Sequence, residues 1–215
     1  MLDYSFLSQA VIEGDWNKAT QLTTAALDSG ASPQHIITHG LQTAMSVVGE
    51  KYSSGEYFLP DMLMAARAVD SAIEMLEPLL SDTGVPTLGK VVLGTVKGDI
   101  HDIGKNIVAM FLKGVGFEVF DLGIDVSDEK FVEAAQKIKP DILGLSALLT
   151  TTMPSIGSVI KALDADGLRS DVKVIVGGAA VTQGYANLVG ADAYAHDGGE
   201  AARVCKELIR NKVVI

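Results

Sequence analysis

Five short runs rich in β-branched and apolar residues punctuate the second half of the chain: Val91–Val96, Glu118–Leu122, Ile142–Ser146, Val172–Val176 and Ala191–Ala195. Each leads into a stretch of helix length. Strands that alternate with helices are joined by right-handed crossovers, and the product is a parallel sheet covered on both faces. The expectation is an α/β domain with a Rossmann-like, flavodoxin-like, doubly wound five-stranded sheet. Such sheets bind ligands beyond the carboxyl ends of their strands, where strand order reverses. Chemistry is therefore expected just after Val96, Leu122, Ser146 and Val176.

The first half carries a different period. Apolar residues return at helical spacing in four series that begin at Leu2, Trp16, Ile36 and Leu59. Asp15 and Ser32 suit N-caps, Pro33 and Pro60 suit first turns, and Gly14, Gly30 and Gly55 fall at or after helix ends. Between the halves, Ser81-Asp82-Thr83-Gly84-Val85-Pro86 breaks helices and favours turns. The expected division is a four-helix bundle over residues 1–84 and the α/β domain over 85–215.

Charge excludes some functions. Seventeen Lys and Arg against 27 Asp and Glu leave a net charge of −10, which repels the phosphate backbone of nucleic acid. No run approaches the ~18 uncharged apolar residues of a membrane span. Met1-Leu2-Asp3-Tyr4 lacks a basic leader, and the single cysteine, Cys205, excludes an intrachain disulfide, so a cytoplasmic location is expected.

Directly after the first strand comes the polar, glycine-bracketed loop Lys97-Gly98-Asp99-Ile100-His101-Asp102-Ile103-Gly104-Lys105-Asn106, leading into an apolar helix expected over Ile107–Leu112. A histidine two residues from an aspartate can be oriented by it: a carboxylate that accepts from one ring nitrogen leaves the other as a metal ligand. The other reading is a histidine in a helix-capping loop, with Asp99 or Asp102 serving as the cap. His35, His39 and His196 stand elsewhere without a partner at ligand spacing. If His101 binds a metal, the remaining ligands come from a cofactor. Gly98 and Gly104 lack the Gly-Lys-Ser/Thr ending of a phosphate loop, and no Gly-x-Gly-x-x-Gly follows the strand. The third strand ends on Ser146 and runs to Thr150-Thr151-Thr152, and the fourth ends on Gly177-Gly178, where small residues let backbone approach a flat or extended ligand.

Taken together, Asp99-x-His101-x-x-Gly104, then 41 residues, Ser146-x-Leu148, then 28 residues, and Gly177-Gly178 resemble the fingerprint of base-off, histidine-on cobalamin-binding domains. Gly55-Glu56-Tyr57-Phe58-Leu59-Pro60-Asp61 and the following helix resemble the helical cap of methyl-carrying corrinoid proteins. The resemblance covers nearly the whole chain. The family is that of the small corrinoid proteins of methylamine, methanol and related methyltransferase systems, similar to the cobalamin module of methionine synthase.

This resemblance implies a cofactor, cobalamin (as methylcobalamin or cob(I)alamin) or a related corrinoid, with His101 as lower axial ligand to cobalt in place of the cofactor's own base. Asp99 would hold the other ring nitrogen, within a loop formed by Gly98, Ile100, Asp102 and Gly104. Thr152 stands where methionine synthase carries a serine in the same relay. Ser146 would face the displaced base, Leu148 would line its slot and Thr150 would lie near the corrin amides. Gly177 and Gly178 would leave room for the nucleotide tail, and Gly198 would close the slot. Phe58, Leu59 and Met62 would cover the upper cobalt face, although they read equally as bundle core. The implied role is a methyl carrier, not a complete enzyme alone. It would work between a substrate-specific methyltransferase and an acceptor methyltransferase that serves a thiol or tetrahydrofolate, with a reductive activase and with neither nucleic acid nor membrane. A carbon-skeleton mutase subunit shares the fingerprint but generally lacks the cap. A cobalamin-dependent regulator would add a DNA-binding domain, and a flavin or signalling domain of flavodoxin type would leave residues 99–104 as a mere loop.

Overall fold

A computed structural model describes residues 3–80 and 86–212. The expected boundary at 84/85, and Leu2 of the first helical series, lie outside the described residues. By its contacts the chain divides into two compact units, Met1–Thr87 with Gly114–Gly116, and Leu88–Lys113 with Phe117–Ile215.

The first unit is helical. α1 (Ser5–Ile12) and α2 (Trp16–Asp28) are separated by a turn in which the Asp15 carboxylate accepts from the Lys18 amide at 2.9 Å, an N-cap that satisfies one of the helix's orphan donors. α3 (Pro33–Ile36) opens on Ser32, whose hydroxyl accepts from the His35 amide. It does not run straight on. A π turn over Ile37–Leu41 joins it to α4 (Gln42–Ser53), where the hydrophobic period had suggested one plain helix. α5 (Leu59–Leu76) begins with the Asp61 carboxylate accepting from the Phe58 amide at 2.8 Å and ends in a 3₁₀ turn, Glu77–Leu79. Leu7, Val11, Ile36, Leu41, Met45, Met62 and Leu76 are buried, as their spacing required.

The second unit is the expected parallel sheet: β1 (Lys90–Thr95), β2 (Glu118–Asp121), β3 (Ile142–Ser146), β4 (Lys173–Gly177) and β5 (Ala193–Tyr194), in the order β2-β1-β3-β4-β5. The register pairs Thr95 with Ser146 and Ser146 with Gly177, so these three form one row at the carboxyl edge. The helices are α6 (Ile103–Gly114), α7 (Asp128–Ile138), α8 (Met153–Ala165), α9 (Gln183–Val189) and α10 (Gly198–Lys212). Phe131 of α7, Ile156 and Leu163 of α8 and Ala186 of α9 join Val92, Leu143 and Val174 of the sheet in one apolar core.

α6 starts four residues earlier than Ile107. Asp102 takes the position before the first turn, its carbonyl accepting from the Asn106 amide at 2.8 Å. Cys205 is fully buried, and burial pushes its thiol up to about 12. No helix among the described residues is long and apolar enough to cross a membrane.

Candidate functional site

β1 and β3 are neighbours, yet the chain leaves β1 for β2 on one side and β3 for β4 on the other. Strand order therefore reverses between them, and the loops that follow, 96–102 and 147–152, diverge at the sheet's carboxyl edge, where open α/β sheets bind ligands.

Asp99 is where these loops meet. Its side chain is fully buried and accepts four hydrogen bonds. Oδ1 takes the His101 amide at 3.0 Å and His101 Nδ1 at 2.7 Å; Oδ2 takes the Leu148 amide and the Thr152 hydroxyl, each at 2.7 Å. Burial pushes this carboxyl up, but the Thr152 hydroxyl, the His101 and Leu148 amides and the His101 ring together outweigh it and hold the group well below the usual carboxylate range. An ionised Asp99 can only accept, so Nδ1 of a neutral His101 is the nitrogen that carries the proton and Nε2 keeps its lone pair. The His101 side chain is 46% exposed. The Thr152 oxygen also lies 3.0 Å from the Leu149 carbonyl; its one proton goes to the closer, charged partner.

The backbone around His101 is held from several elements. Thr95, fully buried at the end of β1, donates through Oγ1 to the His101 carbonyl at 3.0 Å. Asp125, in the loop after β2, accepts from the Gly98 amide at 2.7 Å and donates its own amide to the Asp99 carbonyl at 2.9 Å. It does so at φ +50°, the left-handed region that aspartate tolerates better than most residues. Ser155 of α8 donates to the Lys97 carbonyl at 3.1 Å. In the first turn of α6, Lys105 is buried, pairs with Asp121 and donates to Asn106 Oδ1 at 2.8 Å, and Asn106 in turn donates to Asp102 Oδ2 at 3.1 Å. Thr95, Asp125, Lys105 and Asp121 were not singled out from sequence. An Asp two residues past Gly123 is a visible turn signal, but its partner is fixed only by strand order.

On the loops at the same carboxyl edge and in the first turn of α6, Ile100, Ile103, Ile124, Leu148 and Leu149 keep large parts of their side chains in solvent. An apolar rim about one oriented nitrogen suits a broad, flat ligand better than a hydrated ion. Among the described residues no group of three His, Cys, Asp or Glu side chains could hold a metal. His101 is thus a single donor, and these residues fit a macrocycle that brings the other metal ligands with it.

The remaining expected positions fall as follows. Ser146 is half-buried at the end of β3, and Thr150 is exposed in the loop beyond it. Gly98 has φ +84°, and Gly104 is the second residue of α6. A Cβ on Gly177 would lie 2.8 Å from the Ala195 carbonyl oxygen. On Gly178, at φ +114°, it would lie 2.1 Å from that of Ala147, so backbone packing already demands glycine there. Gly198 opens α10, and a Cβ there would meet Phe111 of α6 at 2.5 Å. Phe58, Leu59 and Met62 belong to the helical unit; Phe58 and Leu59 are exposed and Met62 is fully buried. His101, Asp99, Leu148 and Thr152 are brought into one bonded group.

Two family models match the chain, both described as B12 binding domains, one over residues 89–209 and one over residues 6–77. Trimethylamine corrinoid protein 2 of Methanosarcina acetivorans is 43% identical over 204 residues, 94% of each chain. The crystal structure of a cobalamin-binding protein from Desulfitobacterium hafniense superposes with a TM-score of 0.84 at 35% identity, covering 97% of this chain and 99% of that one. A chain of the methanol:cobalamin methyltransferase complex of Methanosarcina barkeri gives 0.82 at 34% identity, covering 95% and 78%.

Proposed function

Because the chain belongs to the B12-binding corrinoid proteins, we propose that it carries a methyl group on corrinoid cobalt between two methyltransferases, one that demethylates a substrate and one that delivers to a thiol or a folate. Relatives named for trimethylamine and for methanol support a donor of that kind, a methylated amine or a simple methyl alcohol. The observation that carries the reading is the bonded group His101, Asp99 and Thr152 under an exposed apolar rim.

His101 would hold the corrinoid cobalt through Nε2, in place of the cofactor's own base. The bound corrinoid supplies the transfer chemistry itself. Asp99 orients the imidazole through Nδ1–H. Thr152 and the Leu148 amide keep the carboxylate from turning away. Leu148 would line the slot for the displaced base, with Ser146 facing that base and Thr150 near the corrin amides, while Gly177 and Gly178 would leave room for the nucleotide tail. Phe58 and Leu59, exposed at the start of α5, would supply an apolar cover for the bound group; the burial of Met62 supports its reading as bundle core. A reductive activase would return oxidised cofactor to the working state.

Reconstitution with hydroxocobalamin tests this. After one-electron reduction, the wild-type cobalt(II) paramagnetic resonance signal is expected to show splitting from an imidazole nitrogen, and His101→Ala is expected to lose it. With histidine labelled in nitrogen-15, splitting from the labelled nitrogen that persists in the variant, or a wild-type cofactor still coordinated by its own base, would refute the assignment.

A further inference from the structure

The helical unit holds two histidines that the B12 site does not use. His35, in α3, and His39, in the π turn that follows it, are four residues apart, and their rings approach to 4.1 Å between centroids at 45°. Both residues are exposed. Residues four apart share one helix face, and the wider π turn brings them closer to eclipsed. That spacing is how two histidines on one helix grip zinc.

A second observation bears on the ring nitrogens. The Tyr4 hydroxyl lies 3.1 Å from His35 Nδ1, and Tyr4 is itself buried, so its position is set by packing. With Nδ1–H donated to that oxygen, Nε2 of His35 keeps its lone pair, the arrangement typical of a metal-ligating histidine. Within the π turn, Gly40 allows Leu7 to pack where a Cβ would meet it at 2.8 Å, and Thr43 Oγ1, just beyond it, donates to the Thr38 carbonyl at 3.2 Å. Single π turns inside α-helices concentrate at functional sites.

We propose that His35 and His39 form an open surface site for a borderline transition-metal dication of the zinc type. Two neutral imidazoles select zinc, nickel or copper over magnesium or calcium, which take oxygen donors. Among the described residues no third His, Cys, Asp or Glu joins them, so water fills the remaining positions. The bound ion bridges α3 and the π turn.

Calorimetric titration of the full chain with zinc chloride, together with thermal unfolding, tests this. One saturable site is expected, with a melting midpoint that rises as zinc is added. His35→Gln and His39→Gln, checked for folding by circular dichroism, should each abolish both effects. Tyr4→Phe should weaken binding by about tenfold, the scale of lost support behind a ligating histidine, and His196→Ala should change nothing. Absence of saturable binding in the wild type, or binding retained in both folded histidine variants, overturns the proposal.

Discussion

Asp99 keeps its charge while fully buried, which is affordable only because every lone-pair direction it offers is met by a donor. Thr152 is the donor that contributes most to holding its carboxyl down. Thr152→Val keeps the shape and removes the hydroxyl, and is expected to lower the unfolding free energy at neutral pH by about 1.5–3 kcal/mol, the usual worth of a hydrogen bond to a charged group. Thr152→Ser should retain most of it. Because the folded-state value of Asp99 is depressed, its contribution is fully present above the unfolded carboxylate value of ~4 and is lost as pH falls through the lower folded value. The gap between Thr152→Val and wild type should therefore narrow in acid, which urea denaturation at pH 7 and in steps below pH 4 would measure; a gap that stays constant would show that the hydroxyl does not act through the charge. At this scale the sequence showed the His101–Asp99 pair, two residues apart. Thr152, 53 residues from Asp99, was named through resemblance alone, and Thr95 and Asp125 were missed, since nothing local marks a hydrogen bond that spans loops.

Among elements, the strands were legible to within two residues at every end, because continuous β-branched runs bounded by turn residues have few other conformations. Two helices were read less well. α6 begins in what looked like a polar loop, because Lys105 is charged yet buried against Asp121, which no hydropathy pattern reveals. The π turn between α3 and α4 was invisible for a related reason: an apolar stripe tolerates one extra residue without losing its face. The end of β4 gives a direct test. Gly178→Ala, with a positive φ and a clash against the Ala147 carbonyl, is expected to cost roughly 3 kcal/mol or more and several degrees of melting midpoint. Gly104→Ala, in a helix with no atom within 4 Å of the added Cβ, should be neutral or stabilising by up to about 1 kcal/mol. Equal effects in calorimetry would mean that the carboxyl edge yields more readily than its geometry implies.

For the whole molecule, two units with separate family matches imply separable tasks. Removal of residues 1–84 is expected to leave corrinoid capture by the α/β unit intact while hastening loss of the bound methyl group in light and air, followed by absorbance; equal lifetimes would deny the helical unit a covering role. The charge of −10 also predicts docking that weakens with added salt wherever a partner presents a basic face. The periodicities by themselves determined a helical half and an alternating half, because burial of one face imposes a repeat of 3.6 or 2 on any chain that folds. Only the tertiary structure decided which loops meet. The order β2-β1-β3 brings Asp125, Leu148 and Thr152 around a loop 26 or more residues away, and such pairings are set by the packing of the whole sheet, not by any local stretch of residues.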